Sequence, residues 1–522
     1  MKFHAQGLPG YVLQRAYKRE EAIFKQTAKC VPISSVPADA NVISSHVIYK
    51  VKLLDDNSLQ MKSRIAPHGN KDHDRAELKT DSATCPPTGI RILFSVTVIF
   101  GWVLVKIDFV SAFLQTGKAL RDVYVIPPYE SRDSAVYWLL LTAAYGLVNA
   151  NAKWQKLSDE CLRMLGFKQL VYVPQLFYKK LNRHLISVAV KVVDDVLFSG
   201  EPDVIDKIVG EIDAKFALGT IVRGPGEFLF YGLRIEQDES LDITVHADHK
   251  LEALDAFPIS RARRKDMQEA LNAMEKKSFN SVNSSLGWLG IAASPLCAFY
   301  ASYLQQCAPS ATLSDLVVQI NTLRALKKYG STIHYTIPPP GSTVDASILV
   351  FSDAGRKVDR GQISVLSGLL LGDVKKGCVF HALSWISHKS KRPVKSVGAA
   401  EILAAGEAID EGKLLKFAVS TLLPFTIDFM LVVDSRDLYN TLSTCRNSAD
   451  RSIRADVSVI RYEFESENVS RIMWVPGKVN LADACTKQNS PLTESLQFLL
   501  CSGKIPSDLP DSDIRSSKMS TG

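Results

Sequence analysis

The sequence predicts two mixed α and β bodies, each a sheet backed by helices, with a mainly helical stretch between them. Apolar, β-branched runs deliver acids to strand ends in two separate parts of the chain: Asp108 with Asp194 and Asp195, then Asp353 with Asp434. Apolar residues at helical spacing lie between those runs. The segment "TIPPPGSTVDA" is the clearest linker and marks a boundary near residue 340. At 522 residues and 46% hydrophobic content, the chain can bury several cores, so three or four compact units are expected.

The formal net charge of +7 permits nucleic-acid binding without demanding it. Nine cysteines occur singly, with no C-x-x-C pair and no histidine at zinc spacing. They read as reduced thiols of an intracellular protein, cytoplasmic or nuclear and not secreted. The N-terminus lacks a signal pattern. The longest apolar run, 92–105, is broken by Ser95, Thr97 and Gly101 and falls short of the roughly 20 residues a membrane span needs. A soluble protein without a membrane partner is expected.

Taken in order, residues 1–45 contain "QRAYKREEAIFKQT", whose spacing predicts a helix with a basic outer face, and then "VPISSVPADAN", which breaks it. Residues 46–66 read as a two-stranded ribbon turning at Asp55 and Asp56, where Asn57 and Ser58 supply the chemistry of a solvated turn. Lys62 and Arg64 share one face of its second strand. They are either a solvated face or the neutralising pair for a triphosphate beside an acidic site. Residues 67–88 read as a polar loop. The stretch "TGIRILFSVTVIFG" is a buried helix or a buried strand, which periodicity does not decide. From Ala152 to Leu165, Trp154, Leu157, Cys161, Leu162 and Leu165 form a helical stripe closed by Gly166. Two strands then lead to Asp194, giving a helix-backed antiparallel sheet with carboxylates on its open face.

Residues 240–340 carry no defended chemistry. "SRARRK" at 260–265, with Lys276 and Lys277, is a solvated face or a track for backbone phosphates. His246 and His249 are spaced for one helix face and read as surface. Beyond the linker, "ASILVFSDAG" is a strand ending in Asp353, and two more strands follow. A helix at 397–412 then carries Glu401, with Ala404, Ala405 and Ala408 on its close-packing face. A strand ends in Asp434, and Asp483 starts a later helix. The basic run His388, Lys389, Lys391, Arg392 and Lys395 is a solvated loop or a phosphate contact. The tail, 501–522, is polar and expected to be disordered.

Unpaired buried carboxylates cost several kcal/mol, so a metal is their natural partner. Asp194 and Asp195 lie between β-branched runs with no Gly, Asn or Pro, unlike the Asp55 and Asp56 turn. With Asp108 they are suited to two Mg²⁺ ions roughly 3.5–4 Å apart, the arrangement used in nucleotidyl transfer. Asp353, Glu401, Asp434 and Asp483 are suited to a second two-metal site that activates water against a phosphodiester. The structural alternatives are helix N-caps at Asp434 and Asp483 and an exposed helix position at Glu401.

The ordered series "KIDFVSAFLQ…VYVIPP…AYGLVNANAKW…LGFKQL…LFYKK…VVDDVLFSG…FLFYGLRI" resembles the reverse transcriptase of copia-type LTR retrotransposons. The resemblance implies an α+β right hand of fingers, palm and thumb, followed by an α/β ribonuclease H-like domain. The implied divisions are 1–240 for fingers and palm, 241–340 for a mainly helical thumb and connection, 341–500 for the ribonuclease H-like domain and 501–522 for the tail. It implies Asp108, Asp194 and Asp195 as metal ligands and Phe113 as the steric gate against a ribose 2′-hydroxyl. Asn149 falls near the incoming nucleotide, and Tyr231 and Gly232 in the segment that grips the primer end. Asp353, Glu401, Asp434 and Asp483 resemble the D-E-D-D set of ribonuclease H, in its copia-type form with S-D-A, A-A-E, D-S and N-x-A-D-x-x-T-K. The implied cofactor is Mg²⁺ or Mn²⁺, two ions per site. The implied partners are an RNA template, a DNA primer, an RNA–DNA hybrid and dNTPs.

The sequence departs from the pattern at Val192, where a tyrosine precedes V-D-D, at Asn149 for glutamine, and at Asn151 and Ala152 for proline and arginine. Every acid expected as a nuclease ligand agrees. Two readings therefore stand: a polymerase with ribonuclease H activity, or a degenerate or domesticated nucleic-acid-binding remnant with impaired polymerase and an active nuclease. With no zinc-knuckle, D-[ST]-G protease or integrase-like zinc pattern, the expected source is the terminal part of a retrotransposon polyprotein or a reading frame derived from one.

Overall fold

Helix α1, Gly10–Gln26, buries Ala16, Tyr17 and Phe24 and turns its basic side chains outward, as its spacing predicts. The structure, a computed structural model, describes residues 10–53, 59–119, 121–131, 135–261, 263–338, 346–357, 360–372, 378–443, 451–505 and 515–517. Strand β1, Ala28–Pro32, leads to the expected ribbon of β2, Val42–Leu53, and β3, Leu59–Pro67, in which Ile48 faces Arg64 and Lys50 faces Lys62. The Asp55 and Asp56 turn and the centre of the linker near residue 340 lie outside the described residues.

The ambiguous apolar run is helix α2, Pro87–Phe100. Proline opens it and Gly101, at φ +62°, ends it in the left-handed region that β-carbons disfavour. It is buried almost all round, because a sheet and a later strand cover opposite faces. Strand β4, Val103–Phe109, is followed by β5, Tyr124–Ile126, and β6, Val136–Leu140. A five-stranded sheet runs β1-β6-β5-β2-β3.

Helix α3, Ala150–Met164, buries the predicted stripe at Trp154, Cys161 and Leu162. Then come β7, Lys168–Gln169; β8, Leu176–Leu181; β9, His184–Val192; β10, Asp195–Gly200; helix α4, Pro202–Asp213; and β11, Leu218–Arg223. They complete the predicted antiparallel sheet, in the order β11-β4-β10-β9-β8-β7.

Strands β12, Gly226–Phe230, β13, Leu233–Gln237, and β14, Ile243–His246, precede helices α5, Asp248–Glu252, α6, Ala273–Ala292, α7, Pro295–Cys307, and α8, Leu313–Tyr329. Strand β15, Ile333–Tyr335, then pairs with β14 and closes a four-stranded sheet. The stretch expected to be mainly helical thus begins and ends in one sheet. His246 ends β14 while His249 sits in α5, so the two histidines do not share a helix face. Within the basic run, Arg263 pairs with Glu269 and Glu275 and braces the capping box of α6.

The last sheet runs β18-β17-β16-β19-β20-β21. Its strands are β16, Ala346–Lys357; β17, Arg360–Leu371; β18, Val379–Lys389; β19, Ile427–Val433; β20, Arg471–Trp474; and β21, Arg515–Ser517. Helices α9, Val397–Leu422, α10, Arg436–Ser443, α11, Arg454–Glu465, and α12, Thr493–Ser502, accompany it. The first three strands are antiparallel, while β16, β19 and β20 run parallel. In the tail expected to be disordered, β21 pairs with the edge of β20 that faces away from β19 and covers backbone groups that edge would otherwise expose.

The two halves share one apolar core rather than meeting only through the linker. Arg91 on α2 is buried with its guanidinium 3.5 Å from the Trp385 ring centre, and it donates to the carbonyls of Ala292 and Leu383 at 3.0 and 3.3 Å. Ser95 and His381 bond at 2.8 Å across the same seam. Among the described residues no helix is long and apolar enough to cross a membrane, and no disulfide forms.

Candidate active sites

The first acid cluster follows from strand register. Asp108 on β4 lies directly opposite Asp195 on β10, and Asp195 lies opposite Val192 on β9. Residues 193–194 therefore form a two-residue turn with Asp194 at its tip. Val193 takes φ +56°, a strained conformation for a β-branched residue. Trp154 holds it there: its indole N–H donates to the Val193 carbonyl at 2.9 Å, and its ring packs edge-on against Phe109 and Phe216.

Burial pushes the Asp194 carboxyl up, and the charge of Asp108 adds to the shift while Arg64 and Lys106 oppose it. Burial also raises Asp195, opposed by Lys106 at 3.5 Å and reinforced by Asp194 and Asp108. Such a set is unfavourable without a cation and is suited to hold one.

The other residues singled out from sequence surround this cluster unevenly. Arg64 lays its guanidinium 4.4 Å from the Tyr145 ring centre, and Tyr145 meets the buried Phe113 edge-on at 4.7 Å. Lys62 is exposed on the same strand face. The ribbon is fixed to the turn before α3, where Gly69 donates to the Gly146 carbonyl at 3.2 Å; a β-carbon on Gly69 would come within 2.2 Å of that oxygen. Asn149 is buried at the start of α3, and among the described residues its Oδ1 has no hydrogen-bond partner. Tyr231 and Gly232 form the turn between β12 and β13, at φ +54° and +75°.

The second cluster is tighter. In the parallel pair β16 and β19, Phe351 lies beside Val432, so Asp353 and Asp434, each two residues further on, emerge side by side. The strand β16 does not end at Asp353, as the sequence suggested, but continues to Lys357 against β17. Helix α9 crosses this edge and brings in Glu401. Ala404, Ala405 and Ala408 are fully buried beneath it, and Gly412 leaves room for the Phe429 ring. One carboxylate oxygen from each of Asp353, Glu401 and Asp434 lies within 4.8 Å of the others.

Glu401 is only 7% exposed, so it is not the solvated helix residue that was its structural alternative. Burial, then the charges of Asp353 and Asp434, push its carboxyl up to about 9, although the Ala354 N–H donates to it. Burial and Asp434 push Asp353 up to about 6, opposed by the Thr486 hydroxyl that donates to it. Burial also raises Asp434, opposed by a bond from Asn480. Asp434 is not a helix cap: Ser435 accepts from the Leu438 N–H at 3.3 Å. Asp483 is not one either, since Asn480 caps the 3₁₀ turn Leu481–Cys485 that contains it.

Asp483 stands outside the tight trio. It pairs with Lys487 and accepts from Ser490 at 2.7 Å, but its charge still reaches Asp353 and Asp434. Three acids this close, two of them buried and the third half-buried, with proton affinities raised first by burial and, at Asp353 and Glu401, also by their neighbours' charges, fit a divalent ion. In the adjacent basic run, His388 bonds Glu407 at 2.8 Å and Arg392 pairs with Asp456, which leaves Lys389, Lys391 and Lys395 exposed.

Residues 28–260 match the family model described as reverse transcriptase (RNA-dependent DNA polymerase). This segment is a reverse transcriptase domain. No curated protein matches the chain. Among solved structures, a foamy viral protease-reverse transcriptase in complex with double-stranded DNA is similar over 90% of this chain and 70% of its own, at a TM-score of 0.51 and 10% identity. That likeness establishes the fold: a polymerase right hand followed by a ribonuclease H-like α/β domain.

Around the reverse transcriptase cluster, sequence reasoning missed Lys106, Tyr145 and Trp154 as parts of the site. Lys106 is two residues before Asp108 on the same strand, the spacing that puts side chains on one face, so its role was open to inference. Nothing local marks Trp154, which reads as core until the turn it holds is seen. At the second cluster, Asn480, Thr486 and Lys487 were visible within N-x-A-D-x-x-T-K but were not named as site residues.

Proposed function

We propose that the chain is an RNA-directed DNA polymerase with ribonuclease H activity, derived from a copia-type retrotransposon and acting inside the cell. In this reading the polymerase occupies residues 1–240 with a thumb and connection at 241–340, and the nuclease occupies 341–500. The observation that carries it is the meeting of distant acids in two separate sheets, Asp108 opposite Asp195 and Asp353 beside Asp434 under Glu401.

Asp108, Asp194 and Asp195 would hold Mg²⁺ or Mn²⁺ at the first site, and Asp353, Glu401, Asp434 and Asp483 at the second. Bound there, such ions supply positive charge to the attacking and leaving oxygens of phosphoryl transfer. Arg64 and Lys62, on the exposed face of β3, neutralise the triphosphate of an incoming dNTP. Phe113, braced by Tyr145, closes the space in which a ribose 2′-hydroxyl would lie. Tyr231 and Gly232 seat the primer end, with Asn149 at the start of α3 beside the nucleotide site. In the nuclease, Glu401 has the most strongly raised proton affinity of the trio and holds a proton near neutral pH that a bound cation would displace.

The test is primer extension on poly(rA)/oligo(dT), run in parallel with cleavage of an RNA–DNA hybrid. Mg²⁺-dependent extension lost in Asp194→Asn, and hybrid cleavage lost in Glu401→Gln, support the proposal. A second reading, a remnant with a failing polymerase and an active nuclease, is favoured by the orphaned Asn149 oxygen and by the looser first cluster. Cleavage without extension selects it.

A further inference from the structure

Lys191 is the one charged residue in the run 185–192 of β9, and it is fully buried. Its ammonium reaches α3, where it pairs with the buried carboxylate of Asp159 and donates to the Ser158 hydroxyl at 2.7 Å and the Gln155 carbonyl at 3.3 Å. These partners engage all three ammonium protons. Burial lowers the proton affinity of the ammonium, and Asp159 opposes the shift. Apolar residues of similar volume hold a core as well as a buried ion pair does, or better. Stability alone therefore does not account for a charge at this position.

The bonds close a ring around the turn that carries Asp194. Lys191 donates to the Ser158 hydroxyl, which donates to the Trp154 carbonyl at 2.7 Å. The Trp154 indole donates in turn to the carbonyl of Val193, two residues beyond Lys191. A second ring orients the carboxylate: the Lys191 N–H donates to the Gln175 carbonyl at 3.0 Å, and the Gln175 side chain donates to Asp159 at 3.2 Å. Helix α3 is thus tied to the chain at two points on either side of Val192. The second point, Val193, is the residue in the left-handed conformation. A β-branched residue keeps that conformation only where its surroundings over-determine it. A helix displaced along β9 would carry the indole away from the Val193 carbonyl and let the turn relax.

We propose that Lys191 and Asp159 are positioning residues for the first acid cluster: the buried pair sets α3 against the end of β9, so that Trp154 holds Val193 and Asp194 is presented beside Asp108 and Asp195. The consequence for nucleotide addition rests on the polymerase reading above. The positioning itself is measured without catalysis.

The experiment compares Lys191→Met, which leaves a buried carboxylate unpaired, with the double variant Lys191→Met and Asp159→Leu, which removes both charges. In urea unfolding the single variant should be destabilised and the double variant close to wild type. Exchange of the Trp154 indole proton reads the contact to Val193 in EDTA, followed by NMR on protein with isotope-labelled tryptophan and assigned with Trp154→Phe. Exchange should quicken about tenfold in the double variant, the worth of one lost hydrogen bond, although global stability is restored. The Mn²⁺ affinity of the first cluster, titrated with Asp353→Asn and Glu401→Gln silencing the second, should fall several-fold. Primer extension should lose kcat while the KM for dNTP changes little.

Wild-type indole exchange or wild-type Mn²⁺ affinity in the double variant overturns the proposal, because the pair would then serve stability alone. If the charge variants do not fold, Ser158→Ala removes only the hydroxyl that relays Lys191 to Trp154, and unchanged indole exchange there overturns the proposal equally. Absence of primer extension from the wild type, with the indole coupling intact, would remove the polymerase reading and leave the positioning role standing.

Discussion

Glu401 gives the sharpest test of the second cluster, because its carboxyl is pushed up to about 9 by burial and by Asp353 and Asp434. Near pH 7 it lies about two pH units below that value and is about 99% protonated, so a divalent ion entering the trio must expel the proton. Asp353, at about 6, is mostly ionised there and contributes about a tenth of a proton. Binding of one ion at pH 7 should therefore release about one proton, and affinity should rise about tenfold per pH unit, or about thirtyfold from pH 7 to 8.5. The assay is calorimetric titration with Mn²⁺ in buffers of different ionisation enthalpy, on protein carrying Asp194→Asn and Asp195→Asn to silence the first cluster. The slope of observed heat against buffer heat counts the protons. Glu401→Gln should abolish the release and weaken binding severely. Affinity independent of pH, or release that survives Glu401→Gln, would refute the assignment of the proton to this carboxylate.

Three further outcomes are expected. Because the folded-state values of Glu401 and Asp353 are raised, their contribution to stability is intact below pH 4 and is lost as pH climbs toward about 9 and about 6 respectively. Chelated protein should thus lose roughly 1 kcal/mol per pH unit between pH 6 and 8 in urea unfolding, and Glu401→Gln should flatten that dependence and raise the midpoint. Trp154→Phe removes the donor to the Val193 carbonyl and should cost about 1–3 kcal/mol, slowing primer extension more than hybrid cleavage; equal loss of both would contradict a role local to the turn. Arg91→Met leaves two buried carbonyls without their donor and should cost about 2–4 kcal/mol, with limited proteolysis newly cutting between the two halves.

Spacing and turn chemistry are enough to specify the local elements whose period and punctuation agree. The stripe of α3, the ribbon carrying Arg64, the strands carrying Asp108 and Asp434 and the close-packing alanines beside Glu401 were all legible in spacing and turn chemistry. The sequence also marks which acids to watch, because carboxylates at the ends of apolar strands conflict with burial. Features set by partners far away in the chain emerge only in the folded molecule. The run 90–100 became a helix because β18 covers the face its own sheet leaves open, and no local period reports that cover. Asp353 and Asp434 are neighbours through a parallel register that turn residues do not encode, and Asp483 was drawn aside by Lys487 and Ser490.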